Sequence, residues 1–283
     1  MGGRLFKDFS LVAATLSLFL LVGIFAILFS YAQTSMHEFG FDFLMIDQWE
    51  ADEDDEGGVF GGFIPIIGTL LSTLIAMVIA TPLAMGIAIF LTEIAHDKII
   101  KPFSIAIELL AAIPSIIYGM WGLFYFAPIV QSVFGGNGVG LLTAGIVLAI
   151  MIIPFMAAIT RDSMNTAPDV LKESAYAMGA TKFEVIKDVI MPYSKGGIIG
   201  SVILALGRAL GETMAVAFLI GSVMSIPDKI TDPTTSIPVL LANNFAEAQD
   251  LELSSMYYLA LILFIVSFAL ITVAKLYFIG KKK

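Results

Sequence analysis

The sequence predicts an all-α membrane protein with six spanning helices. Three observations carry that prediction. Hydrophobic residues make up 58% of the 283-residue chain and charged residues only 14%, against about 45–50% and about 25% in soluble domains. Six stretches are long and apolar enough to cross a hydrocarbon layer, which takes roughly 20 helical residues. Between them the basic residues fall almost entirely on one side, as the positive-inside rule requires.

The first stretch, Phe9–Tyr31, follows a basic start at Arg4 and Lys7. Ser30-Tyr31-Ala32 resembles a leader cleavage site. The run is longer than the usual apolar region of about 7–15 residues, so a retained helix is expected. Ile64–Leu91 is the second stretch. The third, Phe103–Val130, is interrupted at Pro114 and Gly119. Proline removes a helical hydrogen bond, and a broken backbone at membrane depth is tolerated only beside protein or a cavity. Ser115, Tyr118 and Gly119 are therefore candidates to line a path, and a packing kink accounts for them equally well. Leu141–Ile159, Gly197–Val223 and Met256–Ile279 complete the set. The expected domains are an N-terminal helix over 1–33, an acidic loop over 34–62, and a core over 63–280 with a long loop at 161–195.

With the N-terminus inside, the inner segments hold Arg4, Lys7, Lys98, Lys101, Arg161, Lys172, Lys182, Lys187, Lys195, Lys275 and Lys281 to Lys283. The outer segments hold only Lys229, and Arg208 is within a span. Both termini are expected to be cytoplasmic. The net charge of −9 is concentrated in the first outer loop, where Glu38, Asp42, Asp47, Glu50, Asp52 to Asp55 and Glu56 face no Lys or Arg. A solvated charge run is the default reading of such a segment; orientation of a partner protein is the other.

Several chemistries are excluded. The chain has no cysteine, which removes disulfides, thiol catalysis and Cys-ligated metals. His37 and His96 are far apart and make no metal site. There is no nucleophile–base pair or cofactor motif, so no enzyme is expected. Phe134-Gly135-Gly136-Asn137-Gly138 reads as an outer turn, because it does not join a strand to a helix. Nucleic acid is not an expected partner.

The loop at 161–195 carries helix signals. Thr166, Pro168 and Asp169 read as a helix start. Val170, Leu171, Ala175 and Met178 form one apolar stripe. Gly179 supplies a left-handed cap position, and Thr181 with Glu184 reads as a capping box that opens a second short helix, stopped by Pro192. Pattern alone leaves an amphipathic pair lying on the membrane surface as an alternative.

Glu173-Ser174-Ala175, then Gly179, then Ile190-Met191-Pro192 resembles the EAA loop of ATP-binding-cassette (ABC) importer permeases, with Ser174 and Met191 as small departures. The resemblance implies a type I (MetI-like) permease core. It also implies that Glu173, Ser174, Ala175, Gly179, Ala180 and Thr181 form a coupling element docked on a cytoplasmic ATPase. The chain has no G-x-x-x-x-G-K-[ST] phosphate loop of its own, so ATP and Mg would be bound by that partner. No cofactor is expected in this chain.

The fifth stretch carries Gly207-Arg208-Ala209-Leu210-Gly211-Glu212-Thr213. Arg208 and Glu212, four apart, would share one helix face, and Gly207 with Gly211 would admit a neighbouring helix. Intramembrane charges need partners and face a bundle interior. Two readings stand: a mutual pair that locks helices, or an arginine that lines a path and meets an oxyanion with its planar fork. Ala205 to Thr213 resembles the A-L-G-R-A-x-G-E-T segment of phosphate-specific transport (Pst) permeases. Ile113-Pro114-Ser115-Ile116-Ile117-Tyr118-Gly119 is similar to their I-P-S-x-x-Y-G segment. The match runs from about Phe63 onward, and Trp121-Gly122-Leu123-Phe124 with Ala127-Pro128 favours the PstC type over the sister PstA type.

The resemblance implies phosphate transport with Arg208, Glu212, Thr213, Ser115 and Tyr118 on the path. It further implies three partners: a PstA-like second permease, a dimeric PstB-like ATPase and a PstS-like extracytoplasmic phosphate-binding protein. A cell (inner) membrane location surrounded by lipid follows. A sulfate or molybdate permease and an ATP-independent transporter are the rival readings.

Overall fold

The computed structural model describes residues 2–50 and 58–279, without the side chains of residues 2–5, 97 and 277–279. The acids Asp52 to Glu56 and Lys281 to Lys283 lie outside the described residues. The structure is mostly helical, and among the described residues six helices are long and apolar enough to cross a membrane: Phe6–Phe39, Phe63–Ile94, Ser115–Phe134, Leu141–Met164, Lys182–Leu210 and Asp250–Leu276. The chain divides into two compact units. One takes the chain up to Phe63 together with Leu241–Val266; the other takes Ile64–Leu240 and the chain from Ser267 onward.

The first unit is built on α1 (Gly2–Phe39) and the beginning of α12 (Asp250–Ile279). Small buried residues, Ala32 and Ser35 on α1 and Ser254 and Ser255 on α12, let the two backbones approach and bond across. Ser254 Oγ donates to the Tyr31 carbonyl at 2.8 Å, and Ser35 N donates to Ser254 Oγ at 3.0 Å. The Tyr31 and Tyr257 rings stack 4.9 Å apart. α1 extends to Phe39, so the expected loop at 34–62 starts later than the hydropathy indicated. Its described part is folded. A 3-10 turn at Asp42–Leu44 buries Phe43 against Tyr258, 4.5 Å away. β1 (Trp49–Glu50) pairs antiparallel with β2 (Val59–Phe60). Trp49 Nε1 donates to Glu252 Oε1 at 3.1 Å.

The second unit is organised around α6 (Leu141–Met164), which buries Val147, Leu148, Met151, Ile152 and Met156. α2 (Phe63–Ile89) presents Ala76, Ala80, Ala84 and Ala88, all fully buried. This four-residue spacing puts the four methyls on one face, which brings α2 close to its neighbours. At Gly145 of α6 a Cβ would stand 2.6 Å from Ile75 Cγ2 of α2, so only glycine fits. α9 (Met191–Leu210) runs antiparallel to α6, with Thr160 and Ser201 hydroxyls 2.8 Å apart.

Two expected spans change. The third begins at Ser115 and ends at Phe134, made of α4 (Ser115–Trp121), a π-turn at Gly122–Phe126 and α5 (Ala127–Phe134). The preceding α3 (Asp97–Ala112) is a separate amphipathic helix. The proline pushes Ile113 into extended backbone (φ −64°, ψ 131°), which ends α3. His96 caps α3, its Nδ1 accepting from Lys98 N at 3.4 Å. Glu108 of α3 pairs with Arg161 of α6 at 3.1 Å.

The fifth span also differs. It runs from Lys182 to Leu210 and stops before Glu212. Gly211 leaves the helix (φ −97°, ψ 3°), and a four-residue α10 (Met214–Ala217) follows. The chain then turns back, with Gly221 bridged to Thr234, into α11 (Ile237–Asn244). Pro192 does not stop a helix either. It sits in the first turn of α9 after a π-turn at Val185–Ile190, where its missing N–H costs little.

Candidate functional site

Two groups of singled-out residues have distinct surroundings, both within the second unit. The first is the knuckle between α6 and α9. α7 (Asp169–Ala177) starts after Pro168, and the chain reverses at Gly179 with φ +89°, a conformation open mainly to glycine. The capping box is present: Thr181 N donates to Glu184 Oε2 at 2.7 Å, and Glu184 N to Thr181 Oγ1 at 3.4 Å. It opens α8 (Lys182–Glu184), which runs on through the π-turn.

A small apolar core made of Ala88, Met164, Ala167, Val185, Ile186, Ile190 and Ile198 holds this knuckle, with Ala175 and Ala180 packed on it. The expected apolar stripe of α7 does not turn wholly inward. Ala175 is half-buried, whereas Val170, Leu171 and Met178 are exposed along with Tyr176 and Phe183. Glu173 and Ser174 are exposed beside them. A short rigid helix thus presents apolar side chains and a carboxylate outward. Lys172 points the other way and meets Glu93 of the π-turn that ends α2 (Phe90–Ile94) at 2.9 Å.

The second group surrounds Arg208, in the last turn of α9. Its guanidinium stands over the Phe155 ring, 5.5 Å from the centroid, a favourable cation–π distance. Phe155 is well inside the 24-residue α6, so the charge sits partway along that helix. The expected Arg208–Glu212 pair is absent: the helix break at Gly211 separates them, and among the described residues no carboxylate lies within 4.0 Å of Arg208. Glu212 instead accepts from Ala215 N at 3.2 Å and caps α10. Thr213 Oγ1 donates to the Gly211 carbonyl at 3.3 Å.

The Pro114 break lies next to this region. Tyr118 is buried, and its hydroxyl donates to the Leu110 carbonyl at 2.9 Å, across the break. Gly119 lies against Ala215 Cα, 3.0 Å from where its own Cβ would stand, so α4 and α10 touch through backbone. Ser115 is half-buried at the start of α4. The α4–α10 contact therefore brings the stretch with Ser115 and Tyr118 beside the segment that follows Arg208, after Glu212 and Thr213. Among the described residues, Gly207 and Gly211 admit no helix backbone: a Cβ at Gly207 would make ordinary contact with the side-chain tip of Ile271 at 3.4 Å, and one at Gly211 would meet the Gly207 carbonyl at 3.8 Å.

Of the hydroxyls on α2, Thr69 accepts from Ile237 N at 2.8 Å and Ser72 donates to the Gly68 carbonyl at 2.7 Å, so both are committed to internal bonds. Sequence reasoning missed Phe155 and the Lys172–Glu93 pair. An aromatic among apolar residues carries no local signal. Glu93 did carry one, as a lone acid at the end of an apolar run.

Comparison with known proteins agrees with this architecture. The family described as "Binding-protein-dependent transport system inner membrane component" matches residues 59–282. A Pasteurella multocida protein named phosphate transport system permease protein PstC is 46% identical over 86% of this chain and 81% of its own length. Its Haemophilus influenzae namesake is 44% identical over 96% and 91%. Among solved structures, an inward-facing MetNI methionine ABC transporter chain superposes with a TM-score of 0.62 at 18% identity, covering 77% of this chain and 95% of that one, a likeness of fold.

Proposed function

From a chain that belongs to the binding-protein-dependent transport system inner membrane components, and among them to the PstC permeases, we propose one permease subunit of an ATP-driven phosphate importer. A second permease completes the path, a dimeric ATPase binds the nucleotide and Mg, and an extracytoplasmic binding protein delivers phosphate. The basic residues argue that both termini and the knuckle face the cytoplasm. In this reading Glu173, Ser174, Ala175, Gly179, Ala180 and Thr181 shape the surface that meets the ATPase. Its exposed apolar residues Val170, Leu171 and Met178 suit burial in a cleft. Closure of the ATPase pair on ATP moves the knuckle, and the packed helices follow as rigid bodies between two arrangements.

The observation that carries the substrate assignment is the free edge of Arg208. Its face rests on Phe155, no carboxylate neutralises it, and it makes no hydrogen bond to a protein acceptor among the described residues. A guanidinium held by its face offers N–H groups in the fork geometry that oxyanions accept. A charge so placed is costly in lipid and gains most from an anionic visitor. In this reading Ser115, Tyr118, Thr213 and Glu212 line the path together with Arg208.

The test is ATP-driven uptake by the purified complex in proteoliposomes, comparing Arg208→Gln with Arg208→Lys. Phosphate uptake should fall by about two orders of magnitude in Arg208→Gln, from loss of a charge-assisted contact of roughly 3 kcal/mol, with partial retention in Arg208→Lys and the subunits still assembled. Wild-type uptake by Arg208→Gln, or uptake of sulfate in place of phosphate by the native complex, would overturn the assignment.

A further inference from the structure

α2 is joined to the knuckle without a peptide link. Lys172 and Glu93 are 79 residues apart in sequence, yet Nζ and Oε1 meet at 2.9 Å with the two side chains only 19% and 9% exposed. The pair is thus screened little by salt. The other carboxylate near Lys172, Asp169 at 3.9 Å, is 88% exposed, so Glu93 is the principal partner. Around the pair, Ala88 at the end of α2 shares an apolar core with Val185, Ile186 and Ile190 of the knuckle's second arm. α7 is covalently tied to α6 and α9, and this ionic contact ties it to a third spanning helix.

The far end of α2 is clasped as well. Thr69 Oγ1 accepts from Ile237 N at 2.8 Å, and Gly68 lies so close to the Thr235 carbonyl that no Cβ fits between them. α2 is a 27-residue helix, long enough to carry displacement over roughly 40 Å at 1.5 Å per residue. It therefore has an ionic handle at one end and a hydroxyl clasp on the segment Thr234–Ile237 at the other.

We propose that Lys172 and Glu93 form a strut that conveys movement of α7 into α2, and through α2 to the Thr234–Ile237 segment at the opposite end. The inference rests on the reading of α7 as the ATPase contact. Both are positioning residues: they touch neither the transported anion nor the nucleotide. An ion pair suits the task because it adds a directional 2.9 Å contact from α7 itself to the apolar packing of Ala88 on the knuckle's second arm.

The experiment uses the whole reconstituted complex with its binding protein, and reads phosphate imported per ATP hydrolysed. Glu93→Gln and Lys172→Met should each lower that ratio by about fivefold, the scale of coupling effects from residues off both sites. The exchanged pair Glu93→Lys with Lys172→Glu should recover at least about half of the loss, and Lys172→Arg should stay within about twofold of native. A ratio unchanged in the single variants, import and hydrolysis falling in proportion, or an exchange no better than the singles overturns the strut. Loss of assembly in the singles without rescue by the exchange does so too, because the pair would then serve folding alone. Failure of the native complex to import phosphate with ATP defeats the functional reading instead; the strut is then judged from the same ratios for whichever anion the native complex moves.

Discussion

Replacing Phe155 by leucine tests whether Arg208 is held ready for an anion. Leucine keeps an apolar side chain on α6 and removes the ring over which the guanidinium stands at 5.5 Å. A cation–π contact is worth about 0.5–1 kcal/mol when exposed and about 2 when desolvated. Both residues here are half-buried, so about 1 kcal/mol is the appropriate figure, which corresponds to about fivefold in population. Arg208 released from the ring samples other rotamers, and the fraction poised toward the path falls by that factor. Maximal ATP-driven uptake at saturating binding protein should drop about fivefold in Phe155→Leu. Phe155→Tyr, which keeps the ring, should stay within about twofold. The assay is initial uptake in proteoliposomes, normalised to assembled complex. Native uptake by Phe155→Leu, or equal losses in the leucine and tyrosine variants, would refute the reasoning.

Two further outcomes concern the scaffold. Gly145→Val forces α6 away from α2, where the first added atom would already meet Ile75 Cβ at 2.8 Å. A loss of about 1–3 kcal/mol is expected, seen as a lowered unfolding temperature of the detergent-solubilised protein at fixed scan rate. Gly179→Asn should be tolerated and Gly179→Val should not. The space at Gly179 is open and only its φ of +89° restricts it, and asparagine enters that region far more readily than a β-branched residue. Uptake per ATP separates the two variants, and equal behaviour of both would show that the backbone bend is unimportant.

Local chemistry announced much of the architecture. The apolar runs marked all six spans because lipid demands about 20 apolar residues whatever the neighbours are. Pro114 left a chemical mark where a helix breaks, although which side of it stayed in the span did not follow from hydropathy, which averages over α3 and α4 alike; the break at Gly211 was not legible, because the apolar run continues past it to Val223. Gly179 and the Thr181–Glu184 box were legible because a cap is built from residues within one turn of each other. The π-turns at Phe90–Ile94 and Val185–Ile190 were not, since one extra residue per turn shifts a periodic pattern too little to detect.

The amino-acid order by itself thus determined the membrane class, the number of spans and the bent knuckle, all set by interactions of residues with lipid, water or their nearest chain neighbours. Only the tertiary structure decided that Arg208 faces Phe155 and leaves Glu212 to cap α10, and that Lys172 finds Glu93. Those choices depend on where distant helices cross, and a charge selects its partner by distance in space.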